Sequence, residues 1–135
     1  MRGEDEDLIP LPPHVIALDA LHSLEEKAFL EKGEAKAYYV ALTDILKAYL
    51  AGRFRVDALE KTTGEMMSIL NDLPLDRSQQ MRIREFLATS DLVKFAKQKP
   101  DVEQGERDYN LVEEVVETTM EQDGSEEEED DDVAL

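Results

Sequence analysis

Apolar residues recur every three to four positions along most of the chain, and the breaks in that rhythm divide it into helices. Residues 14–32 place Leu18, Leu21, Leu24 and Ala28 on one side of a first helix, and Gly33 is a natural C-terminal stop. Leu11-Pro12-Pro13 ahead of it reads as an extended approach, because proline disfavours helix in the residue before it. A second helix over residues 34–54 carries the strongest stripe. Tyr38, Leu42, Ile45 and Tyr49 form one row, and Tyr39, Leu42, Leu46 and Leu50 form the next. The short turn between the two helices implies an antiparallel hairpin.

The rest of the chain is punctuated by capping signals. After a loop with Val56 and Leu59, Thr62 and Glu65 have capping-box spacing and open a third helix over 63–72, with Met66, Ile69, Leu70 and Leu73 apolar and Pro74 ending it. Asp76 and Gln79 offer a second capping box for a fourth helix through Met81, Ile83, Phe86 and Leu87. Ser90 is expected to cap a new turn, so that Leu92, Val93, Phe95 and Ala96 sit on a short separate helix or a kinked continuation. Pro100-Asp101, with Gln104 three residues on, starts a last helix with the stripe Tyr109, Val112, Val116 and Met120. No segment alternates as a strand would. The expected fold is all-α, a compact bundle of about five to six helices that begins with a hairpin. A flexible linker over 1–13 and a disordered acidic tail over 121–135 flank a helical domain over 14–120.

Charge sharpens that division. The formal net charge is −18 over 135 residues. Residues 1–7 hold four acids and one base, and residues 121–135 hold nine acids and no base, leaving 20 acids and 14 bases between them. The folded part is therefore only mildly acidic, at −6. The run over 126–132 is all Glu and Asp, and like charges at that density cannot bury a core. One stretch departs in the other direction. Over residues 77–99, Arg77, Arg82, Arg84, Lys94, Lys97 and Lys99 face only Glu85 and Asp91, a net of +4.

Candidate chemistry is sparse. With no cysteine, the chain has neither disulfides nor thiolate reactivity. His14 and His22 are eight residues apart, about 12 Å along a helix, too far to share one zinc ion. Ser23, Ser68, Ser78, Ser90 and Ser125 occupy no strand–turn–helix elbow. No glycine-rich phosphate loop occurs, and the acidic run lacks the spacing of a calcium-binding loop. The tyrosines on the second helix are spaced as core, and the net negative charge opposes phosphate binding, so no nucleic-acid partner is expected. No apolar run reaches the ~18–20 residues that span a bilayer, and no secretory signal is present, so the sequence as it stands reads as soluble. No enzymatic activity, metal or cofactor is expected.

Several blocks in order carry a family resemblance. They are residues 38–50 (Tyr38-Tyr39-Val40 through Ala48-Tyr49-Leu50), then Arg53-Phe54, residues 58–63, and Asp91-Leu92-Val93-Lys94-Phe95-Ala96-Lys97 followed by Pro100. With Leu11-Pro12-Pro13-His14 these resemble a helical domain of bacterial membrane proteins of the Bacteroidetes aerotolerance group, which includes the BatD-like proteins, over roughly residues 10–120. The resemblance implies a domain on the cytoplasmic side of the inner membrane, after a transmembrane helix that this chain lacks. It implies partners such as von Willebrand A domain proteins or a MoxR-type ATPase, and no catalytic residues. The acidic tail is not part of the pattern.

The expected function is thus a non-enzymatic protein-interaction or assembly domain. Its candidate interaction face is Arg77, Arg82, Arg84, Leu92, Val93, Lys94, Phe95, Lys97 and Lys99, suited to an acidic partner or to anionic headgroups if a membrane is close. A tetratricopeptide-like peptide-binding scaffold is an alternative, although no second copy of the first hairpin is found. A small enzyme is the alternative from a different class.

Overall fold

The structure, a computed structural model, describes residues 11–121. The expected linker up to residue 10 and the acidic tail beyond Glu121 lie outside the described residues. Among the described residues five helices follow one another: α1 (Pro13–Lys27), α2 (Ala35–Phe54), α3 (Thr63–Asn71), α4 (Arg77–Phe95) and α5 (Val102–Thr119). No strand occurs among the described residues.

Local chemistry sets most boundaries. Pro13 opens α1, where its missing N–H costs nothing. At α3 the capping box forms in full: the Thr62 hydroxyl accepts from the Glu65 N–H, and the Glu65 carboxylate accepts from the Thr62 N–H. That bond to the Thr62 backbone holds the Glu65 pKa below its ordinary value. Asp76 and Asp101 likewise accept the N–H of Gln79 and Gln104, at 2.7 and 2.8 Å. The second box is only half made, however. Gln79 turns its side chain to the Thr118 hydroxyl (2.8 Å) and Glu114 on α5, because an interhelical partner is available there.

Two helices, α1 and α2, stop on a non-glycine residue in the left-handed region, Ala28 and Arg55, and Lys97, one residue past the end cap Ala96 of α4, is left-handed as well. This corrects the expected extent of the first helix, which ends at Lys27 rather than Lys32. With φ at 50°, Ala28 breaks the helix so that Phe29 and Leu30 turn back onto the core. The tight turns over 28–33 then close at Gly33, whose φ of 75° suits glycine. Two further expectations are corrected. Ser90 caps nothing: α4 runs through it unbroken, and its buried hydroxyl accepts from Thr43 on α2 at 3.0 Å. Met120 lies just past the end of α5 in extended backbone.

At the centre lies α2, which packs against α1, α4 and α5. Its buried positions, Tyr38, Tyr39, Leu42, Leu46, Tyr49 and Leu50, meet Leu21 and Leu24 of α1, Phe86 and Leu87 of α4, and Val112, Val115 and Val116 of α5 in one cluster. Phenol groups tie the bundle together. Tyr38 donates to the Gly105 carbonyl (2.9 Å), Tyr39 to the Asp108 carboxylate, and Tyr109 to the Leu21 carbonyl (3.0 Å). Near the other end, Tyr49 shares a 2.8 Å hydrogen bond with Thr119. Successive partners along α2 therefore meet successive positions along α5, so the two helices run parallel. Gly105 allows close approach there: a Cβ would lie 2.2 Å from a Leu30 methyl. The short α3 packs on α4 alone among the described helices.

Candidate functional site

One helix, α4, bears most of the candidate face. Its buried residues are Gln79, Ile83, Phe86, Leu87, Ser90 and Val93. At 100° per residue these fall within an arc of about 120°, which is the core side. The opposite side carries Arg77, Met81, Ala88, Leu92 and Phe95 within an arc of about 60°. All five are exposed, with Met81 at 53%, Leu92 at 45% and Phe95 at 80%, whereas Val93 is at 3%. A helix that should be polar outside thus presents an apolar stripe about 21 Å long, from Met81 to Phe95. Isolated exposed apolar residues need no explanation, but an aligned stripe of them does.

The nine sequence-derived residues separate on this geometry. Leu92, Phe95 and Arg77 lie on the stripe, with Arg84 on its edge beside Asn71, to which it donates. Lys94 brings its ammonium to 5.8 Å from the Phe95 ring centroid. Lys97 and Lys99 follow on the exposed turn after the helix, where the left-handed Lys97 returns the Gln98 N–H to the Leu92 carbonyl at 3.1 Å. Two residues do not belong. Val93 is buried in the core. Arg82 faces α5 and holds Glu114 by two bonds, of 2.7 and 3.2 Å. That contact depresses the Glu114 pKa and raises that of Arg82. Removing Arg82 leaves five bases against Glu85 and Asp91, and among the described residues Arg77, Lys94, Lys97 and Lys99 form no salt bridge.

A polar hollow of about 450 Å³ lies between α4 and α5, lined among others by Arg82, Thr89, Gln104, Arg107, Asp108 and Glu114. Apart from the exposed Glu85, its ionisable groups are already engaged. Asp108 is buried, accepts from Tyr39 and Gln104, and has its pKa pushed up by that burial. Tyr39 is raised as well, first by burial and then by the carboxylate it donates to. Outside this hollow, the half-buried Tyr109 is pushed up to about 12 by desolvation. His22 does not line this hollow; it is exposed on α1, 3.2 Å from Glu26 one turn on. No cluster of three metal-ligating side chains occurs among the described residues.

A second surface is the apolar groove of about 530 Å³ between α1 and α2, with Leu11, Ile16, Ala20, Ile45, Ala48 and Gly52 in its walls and Asp44 as the one charged residue among the described residues that line it.

Met81 and Ala88 are members of the stripe that the sequence did not yield. The apolar series of the fourth helix groups Met81 with Ile83, Phe86 and Leu87. Plotting 79–95 on a helical wheel separates it, since 81, 88, 92 and 95 cluster opposite 83, 86, 87, 90 and 93.

No protein-family model matches the chain, and neither a curated protein nor a solved structure matches it.

Proposed function

We propose that this chain is a non-enzymatic protein-interaction domain that docks a helix of a partner protein along the outer face of α4. The observation that carries the reading is the alignment of exposed Met81, Leu92 and Phe95 on one stripe bordered by basic residues. A matching partner is an amphipathic helix with apolar anchors at i, i+3, i+4 and i+7 spacing and acidic flanks. The engagement of Asp108, Arg82 and Glu114 in packing contacts between helices supports a non-catalytic role.

The family resemblance supplies a setting: the cytoplasmic portion of a membrane-anchored, BatD-like aerotolerance protein, partnered by a von Willebrand A domain protein or a MoxR-type ATPase. The anchor belongs to sequence outside the described residues, among which no helix is long and apolar enough to cross a membrane.

The test is calorimetric titration of purified partners of these two classes against the chain and its Leu92→Asp and Phe95→Asp variants. Burying either side chain is worth at least ~1.5 kcal/mol, so each variant should bind more than tenfold more weakly with its helical content unchanged. Equal affinity for the variants would refute the α4 face, and absence of binding by both partner classes would refute the setting.

A further inference from the structure

We infer that the chain's own acidic segment, residues 122–135, occupies the basic end of the α4 face in cis and competes with the partner for it. The inference rests on the docking reading above and concerns how that surface is regulated. Three observations select this occupant.

The first is charge. Lys97 and Lys99 follow the C-terminal end of α4, Lys94 reaches the Phe95 ring from the flank of the helix, and Arg77 and Arg84 lie further back on its outer side. Seven consecutive acids occupy residues 126–132. A second copy of this chain would instead bring the same basic residues against themselves, which disfavours self-association through this face.

Reach is the second. α4 and α5 run antiparallel, as the contacts of Gln79 with Thr118 and of Arg82 with Glu114 require, so α5 ends beside the start of α4. From Gln79 to Phe95 is about 24 Å along the axis. An extended chain covers at most ~3.3–3.6 Å per residue. Residues 126–132 are five to eleven positions beyond Glu121, so they extend up to roughly 17–38 Å from it. That range includes the lysine cluster with slack to pass around the helix.

The third is apolar match. The acidic run is followed by Val133, Ala134 and Leu135, and the lysines border exposed Leu92 and Phe95. The segment therefore combines the two features that the face can recognise, acids and a short apolar stretch. Tethering raises its effective concentration to the millimolar range, so individually weak contacts suffice. Because the contacts are exposed charges, screening at ~10 Å in 0.1 M salt makes the occupancy sensitive to ionic strength.

The experiment uses the full chain and a full-length variant in which residues 126–129 are changed from Glu to Gln and 130–132 from Asp to Asn. Amide and Phe95 ring resonances are recorded at 20 mM and at 500 mM NaCl. The expected result is a difference between the two proteins confined to residues 92–99 and the outer face of α4 at low salt, and its disappearance at high salt. A peptide of sequence Glu-Glu-Glu-Glu-Asp-Asp-Asp-Val-Ala-Leu added to the neutralised variant should restore the shifts of the full chain. If the face is self-occupied in about four molecules of five, neutralising the segment tightens partner binding about fivefold. Identical spectra at low salt would overturn the inference, as would differences located on other helices. Loss of partner binding in Phe95→Asp together with identical spectra would overturn the cis contact and leave the docking reading standing. A salt-sensitive spectral difference with partner binding untouched by Phe95→Asp would do the reverse.

Discussion

Replacing Tyr39 by phenylalanine removes one hydroxyl and tests whether the α2–α5 contact is held by a buried phenol–carboxylate bond. Tyr39 is fully buried and donates to Asp108, which is itself almost fully buried and otherwise accepts only from Gln104. A hydrogen bond to a charged group is worth about 1.5–3 kcal/mol, and the carboxylate left behind stays desolvated with one partner fewer. The expected loss is therefore on the order of 2 kcal/mol. With a urea m-value of roughly 1–2 kcal/mol/M for a domain of this size, the midpoint should fall by about 1–2 M. The assay is urea unfolding followed by circular dichroism for the parent chain, Tyr39→Phe, Asp108→Asn and the double variant. The two single costs should exceed the double cost by about 1 kcal/mol, since each substitution removes the same charged contact. Tyr39→Phe within 0.5 kcal/mol of the parent, with additive behaviour in the cycle, would refute the reasoning.

Two carboxylates give opposite pH dependences. Burial raises the Asp108 pKa in the folded chain, so its stabilising contribution is complete below the unfolded value of about 3.9 and is lost as pH rises through the folded one. Arg82 lowers the Glu114 pKa, so that contribution is present above about 4.3 and is lost as pH falls through the depressed value. Thermal melts across pH 3–7 should show the parent's advantage over Asp108→Asn shrinking with rising pH and its advantage over Glu114→Gln growing. Arg55, exposed and at φ 58° just beyond α2, bears a backbone strain that glycine would relieve. Arg55→Gly should raise stability by about 0.5–1 kcal/mol in the same urea assay, the relief being partly offset by glycine's greater freedom in the unfolded chain.

Helix α2 was legible because its core positions keep an uninterrupted period and its flanks carry no competing signal. The end of α1 was hidden for the converse reason. Phe29 and Leu30 extend an apolar helical pattern, yet they fold back onto the bundle, where Leu30 fills the space that Gly105 leaves open. Nothing local marks Ala28 as the break. Ser90 misleads similarly, since a serine in an apolar segment resembles a cap until its hydroxyl finds Thr43 across the interface. The basic stretch over 77–99 was visible as a count. A count could not show that Arg82 is held by Glu114, 32 positions away, or that Val93 points inward next to the exposed Leu92. The outer stripe was within reach of the sequence, because its spacing is purely local, but only a wheel centred on α4 distinguishes Met81 from its buried neighbours.

The central claim is that the outer face of α4 is where a partner docks. The chain has no cysteine, so Met81→Cys, Phe95→Cys and, on the exposed side of α2, Val40→Cys can each carry a single environment-sensitive fluorophore. Saturation with a protein of the proposed partner classes, von Willebrand A domain or MoxR-type, should blue-shift emission from positions 81 and 95 and leave position 40 unchanged. A response at position 40 with none at 81 or 95 would contradict the account.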